Sequence, residues 1–154
     1  LHDLMLACAM LGVDCIWAVP IGYEPDEDVV NRAREIASKN GASMTMTRDP
    51  KKACKNASII YTDVFISMGE EHLEDKISAF EGFQVNEKLV ANARDDYCFM
   101  HCLPAHRGDE VTDAVMDSEN SIVFDQAENR MWAQMSILTY LCNPAAFHAF
   151  MELY

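Results

Sequence analysis

The chain of 154 residues is half hydrophobic, enough for one globular domain with its own core. A formal net charge of −13 leaves no basic footprint for nucleic acid or an anionic lipid surface, so neither is expected as a partner. Six cysteines, at positions 8, 15, 54, 98, 102 and 142, form no Cys-x-x-Cys pair, which argues against a zinc ribbon or thioredoxin motif and suits a reducing compartment. No apolar run is long enough to span a bilayer, and no secretory or transit pattern is expected at the amino terminus.

Leu4, Leu6, Ala7, Met10 and Leu11 predict a helix closed by Gly12. Residues 13–19 read as a strand stopped by Pro20. Asp26 is placed to cap a helix over 27–40, with Val29, Val30, Ala33, Ile36 and Ala37 facing inward and Gly41 at its end. Residues 43–47 form a short strand, and Asp49-Pro50 opens a short helix over 51–55. Residues 58–62 predict a buried strand that runs into Asp63. Helical patterns follow over 73–80 and 86–93. The apolar strand 97–100 must end before Pro104, which has no N–H for a ladder. A loop through Gly108, a short helix over 112–116, a last strand over 121–124 and a final helix over 125–142 complete the pattern. Ala127, Met131, Met135 and Leu138 fall on one face of that final helix. Strands alternating with helices predict an α/β fold: a doubly wound parallel sheet of the three-layer, Rossmann-like kind. Such a domain opens on a strand, so a pattern that opens on a helix is expected to be incomplete at its amino terminus.

Three stretches leave a strand at its carboxyl end: 63–69, 101–104 and Glu128-Asn129-Arg130. Parallel strands bring those ends to one edge of the sheet, where ligands bind. The edge would hold the carboxylate of Asp63, the hydroxyl of Ser67, the thiol of Cys102 and the guanidinium of Arg130, with helix N-terminal amides for an anion. Neither a GxGxxG nor a Walker pattern is present, which disfavours a nucleotide-dependent oxidoreductase. His101, Cys102 and His106 would offer three ligands without a fourth at suitable spacing, so no metal is expected. Each residue also has a plain structural role open to it. Asp63 could cap a turn, Met68 could be core, and His101 and Cys102 could be packed. Arg130 could pair with Glu128 or Asp125 on the surface for about 0–1 kcal/mol. The pattern points to a polar ligand site and does not name the ligand.

Asp63-Val-Phe-Ile-Ser67-Met68-Gly69, His101-Cys102-Leu103-Pro104 and Glu128-Asn129-Arg130 resemble the ornithine carbamoyltransferases, in the same order and over essentially the whole chain. The resemblance is to the second half of such an enzyme. It implies that residues 1–154 form the ornithine-binding domain, without its first strand and without the carbamoyl phosphate domain. It implies transfer of a carbamoyl group from carbamoyl phosphate to the side-chain amine of L-ornithine, giving L-citrulline and phosphate with no cofactor. Asp63 and Cys102 would hold the amine, and Ser67 and Met68 the amino-acid end. The carbonyls of Cys102 and Leu103 would receive the carbamoyl amide, and Arg130 would bind the carbamoyl oxygen. The Leu103–Pro104 bond would be cis. The charged stretch 70–75 would act as a lid over ornithine, and His2 matches a histidine frequent in the family. A homotrimer is implied for the full enzyme, in the cytoplasm or, for a eukaryote, the mitochondrial matrix or a plastid. The alternatives are a carbamoyltransferase for another amine such as putrescine, and a non-catalytic binding domain of the same fold. A diamine has no carboxylate for Ser67-Met68-Gly69 to hold.

Overall fold

The computed structural model describes residues 1–66 and 74–152. The helices are α1 (His2–Leu11), α2 (Glu27–Lys39), α3 (Pro50–Cys54), α4 (Glu74–Ala79), α5 (Glu87–Val90), α6 (Asp113–Met116), α7 (Val123–Cys142) and α8 (Pro144–Met151). The strands are β1 (Cys15–Ala18), β2 (Met44–Thr47), β3 (Ile59–Thr62) and β4 (Cys98–His101). β1 pairs with β2 and β3 with β4, both parallel, with helical connections between partners. This is the α/β architecture expected from the alternating pattern. The two pairs are not bonded to one another among the described residues.

Local chemistry accounts for the helix boundaries. Asp26 Oδ1 accepts from the N–H groups of Asp28 and Val29 at 2.9 and 3.2 Å and starts α2. Asp49 does the same for α3 through Lys51 N–H at 3.0 Å, with Pro50 in the first turn. Gly12 ends α1 at φ +70, a left-handed conformation that glycine adopts without a Cβ penalty. A Cβ there would sit 2.8 Å from the carbonyl oxygen of Asn40, so α1 and the end of α2 meet at a point only glycine fits. His2 Nε2 accepts from the N–H of Asp26 at 2.9 Å and ties the other ends of the two helices.

The apolar side chains form two cores. One joins Met5 and Ala9 of α1, Trp17 and Val19, Val30, Ala33 and Ala37 of α2, and Met44. The other gathers Cys54, Ile60, Leu89, Phe99, Val111, Val115, Met116 and Val123. Each core covers one face of its strand pair. Ile16 on β1 and Ile59 on β3 remain exposed, so the burial expected of the strand over 58–62 is met on the Ile60 face only.

The end of the chain differs most from expectation. Residues 121–124 do not form a strand. Ser121 makes one parallel bridge to Phe99, and Ile122 N–H donates to Phe99 O at 3.0 Å. Helix α7 then begins at Val123, because entering the helix there buries Val123 in the core and turns Phe124 outward. The apolar face expected on α7 is left largely in solvent. Met131, Met135 and Leu138 are 50%, 51% and 58% exposed, since α7 leaves the core after its first turn. Helix α8, opened by Pro144 after Asn143, was not expected. Among the described residues no helix is long and apolar enough to cross a membrane.

Candidate active site

The β3–β4 ladder pairs Thr62 with His101, its last rung. The next residue on each strand is therefore Asp63 and Cys102, side by side at the carboxyl edge. The Cys102 thiol donates to Asp63 Oδ1 at 2.9 Å, and the same oxygen accepts from Val64 N–H at 2.8 Å. Loss of solvent around the sulfur raises the Cys102 pKa above the ordinary thiol value, and the hydrogen bond to Asp63 and its negative charge raise it further. The thiol is thus a protonated donor at neutral pH rather than a thiolate nucleophile. Tyr61 lies behind the pair, its pKa pushed up to about 12, first by burial and then by Cys102.

The chain then turns sharply. Leu103 takes φ +54, unusual for a residue with a Cβ, and the Leu103–Pro104 bond is cis, as the resemblance implies. Two side chains hold the turn from inside. His101 Nδ1 accepts from Leu103 N–H at 2.9 Å, and Glu110 Oε1 accepts from His106 N–H at 2.6 Å. His101 and Glu110 are both fully buried, with Nε2 and Oε1 3.2 Å apart.

Helix α7 enters beside this turn. Gln126, in its first turn, accepts from the N–H of His101 at 3.0 Å and donates to the Tyr61 hydroxyl at 3.4 Å. Arg130 follows four residues later, hence on the same helix face, about 6 Å further along the axis. It is exposed and makes no ion pair among the described residues, while Glu128 accepts from the Trp132 indole at 3.2 Å instead.

The structure thus brings together Asp63 and Cys102, carries Leu103 on the adjoining turn, and puts Arg130 on the helix face that Gln126 anchors to β4. Ser67 and Met68, and residues 70–73 of the lid expected over 70–75, lie outside the described residues. Among the described residues no three His, Cys, Asp or Glu side chains cluster as metal ligands. Sequence reasoning missed Gln126 and Glu110. Gln126 belongs to a helix start whose apolar opening reads as a strand, and Glu110 has the sequence surroundings of an ordinary solvated acid in an acidic chain.

The family model for the aspartate/ornithine carbamoyltransferase Asp/Orn-binding domain matches residues 1–141. The catabolic ornithine carbamoyltransferase of Thermoplasma acidophilum is 55% identical over 138 residues, covering 89% of this chain and 45% of the relative. The anabolic ornithine carbamoyltransferase of Pyrococcus furiosus is 52% identical over 147 residues, covering 95% and 47%. A solved structure of the ornithine carbamoyltransferase from Pyrococcus furiosus superposes with a TM-score of 0.86 at 54% identity, over 90% of this chain and 44% of that one. The chain spans less than half the length of these relatives.

Proposed function

Because the chain belongs to the aspartate/ornithine carbamoyltransferase family through its Asp/Orn-binding domain, we propose that it is the ornithine-binding half of an enzyme that makes L-citrulline from L-ornithine and carbamoyl phosphate. The observation that carries this reading is the Asp63–Cys102 pair at the strand edge, 2.9 Å apart, with Ser67-Met68-Gly69 beginning four residues after Asp63 in sequence. A carboxylate and a neutral thiol suit the two states of an amine. Asp63 favours the ammonium on entry, and Cys102 can contact the nitrogen without competing as a nucleophile. The ornithine side-chain amine has a pKa near ~10.4 and must lose a proton to attack.

In this reading the nitrogen attacks the carbamoyl carbon, a C–N bond forms, the C–O bond to phosphate breaks, and the nitrogen sheds one proton. Negative charge gathers on the carbamoyl oxygen, where Arg130 would stabilise it. The carbonyls of Cys102 and Leu103 would accept from the carbamoyl amide. Ser67 and Met68 would hold the amino-acid end of ornithine. Phosphate is a good leaving group, so positioning and charge stabilisation supply most of the rate. The remaining phosphate ligands belong to the half of the enzyme that these 154 residues do not span. The whole enzyme would be a homotrimer that works without a cofactor or metal. Relatives named catabolic and anabolic match at 55% and 52%, so identity does not choose the net direction.

Product analysis of the full-length protein with carbamoyl phosphate and either ornithine or putrescine tests the reading. Citrulline from ornithine, with putrescine at least a hundredfold poorer, is the expected result. Preference for putrescine would shift the assignment to another amine, and ornithine binding without turnover would make this a binding domain.

A further inference from the structure

The geometry points to Glu110, acting through His101, as the positioning residue for the turn that carries Cys102 and Leu103. This inference rests on the carbamoyl-transfer reading for its kinetic consequence but not for its structural one.

Both side chains have 0% exposure, and burying a carboxylate and an imidazole costs free energy that packing alone does not return. What they do is specific. Leu103 at φ +54 holds a left-handed conformation that a residue with a Cβ keeps only where the surroundings over-determine it. The Leu103 N–H is directed onto His101 Nδ1 at 2.9 Å. An accepting Nδ1 carries no proton, so the proton of the neutral ring sits on Nε2. Nε2 faces Glu110 Oε1 at 3.2 Å, and that oxygen also takes the His106 N–H at 2.6 Å. The backbone amides on both sides of Pro104 therefore end on one buried pair, which spans the turn from within.

The Nε2–Oε1 approach is not aligned as a full hydrogen bond, and Glu110 Oε2 has no partner. The Glu110 oxygen acts on the ring by its position beside Nε2, which fixes the tautomer and the direction of Nδ1. With Glu110 removed, the ring is free to rotate or to move its proton to Nδ1. Leu103 N–H would then lose its acceptor, and the Cys102 and Leu103 carbonyls would lose their aim. Asp63 follows the end of β3, outside this bracket, so ornithine capture should survive.

The test uses the full-length protein with Glu110→Ala, Glu110→Gln, His101→Asn and the double variant His101→Asn/Glu110→Ala. Glutamine keeps an oxygen for both N–H groups, and asparagine at 101 can accept the N–H two residues on by itself. Glu110→Ala should lower kcat at least tenfold with the ornithine KM changed less than about twofold, and Glu110→Gln should stay within about threefold of wild type. The double variant should be no worse than the poorer single, because one residue works through the other. Amide exchange on peptides spanning 101–107 gives a readout independent of turnover, and Glu110→Ala should speed exchange at Leu103 at least tenfold. If Glu110→Ala folds poorly, Glu110→Met keeps the buried volume without an acceptor and replaces it. Unchanged exchange at Leu103, a glutamine variant no better than alanine, or additive losses in the double variant would overturn the inference. A wild-type enzyme that makes no citrulline would overturn the functional reading alone, with the exchange experiment still deciding the role of Glu110.

Discussion

Cys102 and Asp63 occupy equivalent positions on neighbouring parallel strands, one residue past the Thr62–His101 rung, and share a hydrogen bond of 2.9 Å. Their chemistry follows from that register. Partial loss of solvent around the sulfur and a carboxylate beside it both oppose the charged form, so the thiol pKa is raised. The thiolate, the form that reacts with alkylating agents, is then scarcer near neutral pH than for a free cysteine. The pH profile for alkylation of Cys102 by iodoacetamide, followed by peptide mass spectrometry, should therefore lie above that of a simple thiol. Asp63→Asn removes the carboxylate and should move the profile back down. No movement would mean that burial alone sets the thiol.

Asp63→Asn in the full-length protein should also weaken use of ornithine while sparing carbamoyl phosphate binding. A hydrogen bond to a charged group contributes about 1.5–3 kcal/mol, so kcat/KM for ornithine should fall at least tenfold. Steady-state kinetics with each substrate varied in turn provides the check. Equal damage for both substrates would assign Asp63 to the fold, where its bond to Val64 N–H already gives it a local role.

Gln126 ties the first turn of α7 to the end of β4 through the His101 N–H. Gln126→Ala would leave that amide without its partner at a fully buried residue, at a cost of about 1–3 kcal/mol. It would also free the helix face that carries Arg130. The expected outcome is a lower kcat with a modest loss of stability, and Gln126→Glu should keep the acceptor and recover part of both. Thermal unfolding beside steady-state kinetics separates the two effects; a stability loss with kcat unchanged would show that Arg130 does not depend on this anchor.

The sequence made some of this plain and hid the rest for physical reasons. Asp26, Asp49 and Gly12 act within a few residues of their own positions, so their helix-starting and helix-ending roles could be read directly. Asp63 and Cys102 were expected together because a parallel sheet gathers its strand ends at one edge, and the β3–β4 register sets them side by side. Arg130 was expected there through a strand over 121–124 that the chain does not form. Residues 121–124 were misjudged because a short apolar run serves equally as a buried strand or as the start of a helix that buries one residue in four. Glu110 and Gln126 act on amides 4 and 25 residues away, and nothing in their neighbourhoods marks a polar side chain for burial. The apolar face of α7 was correctly read as a face, but a sequence does not say what covers it.

Gly12 offers a sharper test of the α1–α2 corner. Alanine there must hold φ +70, costing about 1–2 kcal/mol. Its Cβ would also meet the Asn40 carbonyl oxygen at 2.8 Å. Asn40 has little room to yield, because its own Nδ2 donates to Ala9 O at 3.0 Å. Gly12→Ala should lower stability by at least the conformational cost, measured by denaturant unfolding with the buried Trp17 as a probe. A loss under ~0.5 kcal/mol would show a corner that adjusts freely.

The last prediction concerns the 154 residues expressed by themselves. β1 and β3 each pair on one side only among the described residues, and each presents an exposed isoleucine, Ile16 at 47% and Ile59 at 56%. Unpaired strand edges offer N–H and C=O groups to any other chain. On α7, Met131, Trp132, Met135 and Leu138 recur at helical spacing with half or more of each surface in solvent, a larger apolar face than an isolated soluble domain usually presents. In the proposed enzyme both features would be covered by chain outside this segment, which would also supply the rest of the phosphate site. Alone, the segment should associate or fold poorly and should make no citrulline. Adding a complementing fragment that carries the other half should reduce association and restore turnover together. Light scattering on the purified segment, with a citrulline assay before and after complementation, decides the matter. A well-folded monomer turning over at an ordinary enzyme rate of ~1–10³ s⁻¹ would show that these surfaces need no partner and that the site is complete within the chain.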